Sequence, residues 1–231
     1  SANNMQFWTS ATVRMKIDDN SRISLSNNDS GTSNTIFGKS AGASLDAGSN
    51  YNTFIGEIVS DAAMDDASDN VGVGYGALTS LTQGDNNIAI GSLPLQFNTT
   101  GGNNVGIGAT AIRLNETGSY NVAVGSYSMR GASGQSHSNN TAVGYNSLYA
   151  VTTGGNNVVI GSVAGDAITT GGSNTILGYQ AGSTMTTSGK TTLVGFQAGY
   201  LISAGQTDAD GTVAVGYNAA RDLTDGQYNT V

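Results

Sequence analysis

The chain has 231 residues, 38% hydrophobic and only 10% charged, with a net charge of -8 and no cysteine. These values exclude a disulfide framework and a thiolate metal site, and they argue against nucleic acid or an anionic membrane surface as the main partner. No apolar run is long enough to cross a bilayer as a helix, so membrane insertion is not expected.

The first 30 residues read as a small β cap. Met5 to Thr9 is a strand candidate, and Val13, Met15 and Ile17 alternate with Arg14 and Lys16 before a turn at Asp18 to Asn20. Ile23 and Leu25 suggest a returning strand.

Residues 31–231 are a repeat. An Asn, a short apolar run and a glycine recur at Gly38, Gly56, Gly74, Gly91, Gly108, Gly125, Gly144, Gly161, Gly178, Gly195 and Gly216, mostly 17 or 18 residues apart. That period is too short for helical hairpins and predicts an all-β parallel solenoid, a flattened roll of about 17 residues per coil. The chain breaks off at Asn229 to Val231, which reads as the start of a further coil truncated at its C-terminal end.

Three residues before each glycine every side chain is β-branched, from Thr35 to Val213, and the residue just before the glycine is apolar throughout, from Phe37 to Val215. Both columns favour a strand and share one of its faces. The column between them, from Ile36 to Ala214, points the opposite way and holds no polar residue either. A strand apolar on both faces is buried on both. A coil this small has only one interior, so the central column is expected to be hidden by a sister molecule, where its many Gly and Ala allow close approach of backbones. Three copies around an axis satisfy this.

Nine coils carry Asn four residues before the glycine, a column suited to hydrogen bonding along the stack. Three residues after the glycine the side chain is small in most coils, which predicts a tightly packed second strand. Gly-rich links such as Gly101–Gly102 return the chain to the next Asn.

Chemistry-bearing patterns are sparse, and neither a cofactor nor a catalytic residue is expected. The glycines of Gly72-Val-Gly74-Tyr-Gly76 belong to repeat columns and lack the helix a nucleotide loop needs. His137, the single histidine, falls in a two-residue insertion and reads as an exposed loop residue. The acids Asp61, Asp65, Asp66 and Asp69 match no calcium loop. Asp208 and Asp210 lie in a four-residue insertion. The aromatic column Tyr75, Tyr145, Tyr179, Phe196 and Tyr217 is explained by packing between coils. The candidate receptor-contact residues are His137, Asp208, Asp210, Tyr149 and Tyr200.

The runs Asn140 to Tyr149 and Asn174 to Gly182 resemble repeats of bacteriophage tail-fibre proteins and are similar to the head repeats of trimeric autotransporter adhesins. Val13 to Ile23 is similar to the β segment that precedes such repeats in tail fibres. The resemblance covers residues 34–231 and implies a homotrimeric left-handed β-roll, located in a virion tail fibre or on a bacterial cell surface. It implies a shaft or head that supports binding to a host-surface glycan or protein. A polysaccharide-degrading tail spike and an ice-binding surface are the lesser alternatives. The last is disfavoured because its Thr column lies on a face assigned to burial.

Overall fold

A computed structural model describes residues 5–9, 12–17, 23–25, 33–202, 209–223 and 228–231. Strands β1 (Met5–Thr9), β2 (Thr12–Ile17) and β3 (Ile23–Leu25) form an antiparallel three-stranded sheet, with Phe7 paired to Met15 and Met15 to Leu25. The turn expected at Asp18 to Asn20 lies outside the described residues.

The repeat is a parallel β-solenoid. Its strands β4 (Thr35–Phe37), β5 (Thr53–Ile55), β6 (Val71–Val73), β7 (Ile88–Ile90), β8 (Val105–Ile107), β9 (Val122–Val124), β10 (Thr141–Val143), β11 (Val158–Ile160), β12 (Thr175–Leu177), β13 (Thr192–Val194) and β14 (Val213–Val215) stack in chain order into one sheet. Register is strict: the central residue of each strand faces the central residue of the next, as Ala142 faces Val159. Each strand ends where its glycine takes a φ between +122° and +143°. A side chain cannot stand there: a Cβ on Gly161 would lie 2.3 Å from the Gly178 carbonyl oxygen.

The second segment is not a strand. Residues two and four after the glycine adopt left-handed backbone conformations, as at Leu93 (φ 57°) with Leu95 (φ 50°) and Asn146 with Leu148 (both φ 52°). Such residues cannot continue a strand. The segment still stacks through backbone bonds from coil to coil, such as Leu95 N–H to Ala111 O (3.0 Å) and Phe97 N–H to Arg113 O (3.1 Å). Glycine four residues after the strand glycine in four coils, and Asn146 and Asn218 two after it, are residues suited to this conformation, but the Leu and Ile that share these positions rarely adopt positive φ and mask the signal.

The core corrects the expected assignment of faces. The central strand column lies inside its own coil: Phe54, Ala89, Ala123, Ala142, Val159, Ile176, Leu193 and Ala214 are fully buried within one chain. Its small members are explained from within the coil. Gly72, Ala89, Gly106, Ala123 and Ala142 share their coils with Leu78, Leu95, Ile112, Met129 and Leu148, six residues on, whereas Val159, Ile176 and Leu193 share theirs with Gly165, Gly182 and Gly199. In each of these eight coils one of the two positions is large and the other small, so the pair shares the space between strand and second segment. A Cβ on Gly199 would come within 2.8 Å of Leu193 Cδ1. It is the flanking columns that emerge on the outside, with Phe37, Ile90, Val158, Leu177 and Val215 among the exposed residues.

The Asn column forms a buried ladder. Asn157 Nδ2 donates to Asn140 Oδ1 (3.0 Å) and to Gly171 O (3.0 Å), and Asn157 Oδ1 accepts from Asn174 N–H (3.1 Å). Each side chain thus satisfies the turn of its own coil and the amide of the next, which is why an amide carrying both donor and acceptor recurs there.

Candidate functional site

No pocket opens among the described residues, and no group of three or more His, Cys, Asp or Glu side chains there is placed to hold a metal. The features that remain are surfaces. One is the outward face of the eleven-stranded sheet. Its two columns, Thr35 to Val213 and Phe37 to Val215, contain no charged residue, and Phe37 is 65% exposed. Exposed tyrosines continue this surface past the strand ends, Tyr51 and Tyr120 before the Asn column and Tyr75, Tyr145 and Tyr217 after the glycine. An uncharged, largely apolar exposed surface of this kind marks an interaction site.

The aromatic column after the glycine packs between coils. Tyr179 and Phe196 stack with centroids 5.4 Å apart, and Phe196 and Tyr217 at 5.3 Å. Both faces of Phe196 are taken by its neighbours, whereas Tyr217 stacks on one side and is 76% exposed. Tyr127 meets Tyr145 edge-on at 6.1 Å.

The candidate contact residues do not converge. Tyr149 and Tyr200 are half-buried, each beneath a guanidinium from an adjacent coil: Arg130 lies 5.5 Å from the Tyr149 centroid and Arg221 5.6 Å from that of Tyr200. Asp210 Oδ1 accepts from Gly189 N–H (2.8 Å), which ties its coil to the one before. Asp208 lies outside the described residues. Of the acidic group, Asp65 Oδ2 accepts from Gln83 Nε2 (2.6 Å), and Asp66 N–H donates to the Asp46 carboxylate at 3.3 Å.

His137 is buried, contrary to the expected exposed loop. Its N–H donates to Asn115 Oδ1 (3.0 Å) and its carbonyl accepts from Asn121 Nδ2 (2.9 Å), which places it in the ladder. Nδ1 lies 3.4 Å from Asn121 Oδ1, and Nε2 has no partner. Desolvation pushes the imidazole down to about 4. A signal was present. His137 stands three residues before Asn140, in the buried column that holds Gly101, Gly118, Gly154 and Gly171 in other coils. The two inserted residues precede it rather than include it.

No family model matches the chain, and neither a curated protein nor a solved structure does.

Proposed function

We propose that the chain is a structural and adhesive segment of a phage tail fibre, a homotrimeric shaft or head that holds host-binding surfaces away from the virion. One observation carries this reading: the outward sheet face bears no charge on any of its eleven strands, is apolar apart from five Thr, and is exposed or half-exposed in a single chain. Left in water, stacked Val, Ile, Leu and Phe side chains would drive aggregation, whereas three copies packed around an axis cover them. The sister chains then cover the flanking columns, not the central one. Adhesion follows from three weak contacts on one stiff rod, which add through effective concentration without a deep pocket.

Light scattering on the purified chain tests the assembly. The wild type is expected at three times the chain mass, and Ile107→Lys combined with Ile160→Lys is expected to release monomers. A monodisperse wild-type monomer refutes the reading. A bacterial trimeric adhesin head uses the same interface and is separated from the fibre by a coiled-coil stalk and membrane anchor in the full gene. A tail spike is separated by new reducing ends on incubation with host polysaccharide. Exposure of the Thr-bearing face in one chain also keeps the ice-binding alternative, which thermal hysteresis of a monomer would favour.

A further inference from the structure

The charge of this chain is unevenly distributed. Residues 86–165 hold Arg113 and Arg130 against the single acid Glu116, a balance of +1, while the rest of the chain sets six basic residues against fifteen acids, a balance of -9. Both arginines stand five residues after the glycine, on the second segment across the core from the sheet. They are in register: Phe97 N–H donates to Arg113 O, Leu114 N–H to Arg130 O (2.9 Å) and Gly131 N–H to Tyr149 O (3.1 Å). At this position successive coils carry Gln96, Arg113, Arg130, Tyr149 and then Asp166, and Phe97, one residue past Gln96, lies beneath Arg113, so that Phe97, Arg113, Arg130 and Tyr149 form one stripe.

The two guanidiniums lean apart. Arg113 lies over Phe97, 5.7 Å from its centroid, with Nε donating to Gln96 Oε1 (2.6 Å), and Arg130 lies over Tyr149. Among the described residues neither has a carboxylate within ion-pair distance, and Glu116 is turned to the Gly134 N–H (3.0 Å). The third such stack, Arg221 on Tyr200, has Asp222 at 3.9 Å. Among the described residues, then, only the central coils set a half-buried arginine on an aromatic platform with no carboxylate within ion-pair distance.

We propose that this stripe binds an acidic polysaccharide laid along the solenoid. The aromatic platforms hold each guanidinium in place, so its fork can meet a carboxylate without first being ordered. Phe97, itself exposed, offers an apolar surface to the C–H side of a sugar. Four coils extend about 14 Å at roughly 4.8 Å per coil, room for several sugar residues. No pocket encloses the stripe. A polymer gains from repeated shallow contacts where a single small anion does not. Because the stripe lies across the core from the sheet, it stays open when sister chains cover that face. The inference rests on the adhesive reading and names its ligand class.

Biolayer interferometry of the intact chain against immobilised polygalacturonate, with neutral galactan as comparison, tests it. The wild type is expected to bind the polyuronate and not the galactan, more weakly at high salt. Arg113→Gln with Arg130→Gln is expected to weaken binding about a hundredfold, about tenfold per guanidinium. Arg221→Gln should change it less than about twofold, with melting curves of both variants matching the wild type. Equal binding by the double variant, equal binding to galactan, or no binding to polygalacturonate overturns the proposal. Light scattering keeps the two readings apart: a trimer indifferent to polyuronate refutes the stripe alone, and a monomer whose polyuronate binding depends on both arginines refutes the shaft alone.

Discussion

Single residues in this fold are constrained mainly by the backbone of the next coil. Gly161→Ala would place a Cβ 2.3 Å from the Gly178 oxygen at a φ of +143°, whereas Gly134, at +72° in the insertion, has nothing within 4 Å. Urea melts are expected to show a loss of about 3 kcal/mol or more for Gly161→Ala and about 1 kcal/mol for Gly134→Ala. His137 gives a second residue-level prediction. Its folded pKa of about 4 lies below the unfolded value of 6.5, so the unfolded chain binds the proton first as pH falls. The stability this residue contributes is complete above about pH 6.5 and lost by about pH 4, amounting to about 3 kcal/mol. Comparing melts of wild type and His137→Leu from pH 7 to 4 isolates it, because the carboxylates titrate in both. A difference that does not change with pH would contradict a buried neutral imidazole.

At the scale of one coil, the strand and the second segment share a fixed volume. Ala142→Leu adds bulk against Leu148 and is expected to destabilise by about 1–3 kcal/mol. Combining it with Leu148→Gly recreates the Leu193 and Gly199 arrangement found three coils on, and also places glycine at a left-handed φ of 52°. A double-mutant cycle should show the second change relieving the first by at least about 1 kcal/mol. Additive losses would mean that the two positions do not share space. Both columns were visible in the sequence, and their inverse sizes six residues apart could have placed the central column indoors. Hydrophobic alternation alone could not, because in a three-residue strand both faces are apolar and the pattern carries no sign of direction.

At the scale of the whole molecule, each coil touches only its neighbours, so stability accumulates along the stack. Deleting residues 158–174 removes one coil in phase, joining Asn157 to Thr175 as Asn174 was before. The shortened chain is expected to fold with an unchanged β-type circular dichroism spectrum and a rod shorter by about 4.8 Å in X-ray scattering. Deleting 158–165 instead shifts the ladder out of register and is expected to leave the chain aggregated. The in-phase deletion failing to fold would show that the coils are not interchangeable units.

The sequence by itself determined the period, the position of every repeat strand, the parallel stacking and the Asn ladder, because each depends on residue types recurring at one spacing. Tertiary structure decided which apolar column lies inside. It also decided that left-handed turns replace a second strand, that His137 is buried, and that Arg113 and Arg130 lie in one stripe between Phe97 and Tyr149. These depend on the path of the chain between strands, where φ angles and the contents of the neighbouring coil set the direction of each side chain. Spacing along a sequence says which residues are equivalent; only the closed coil says which way they face.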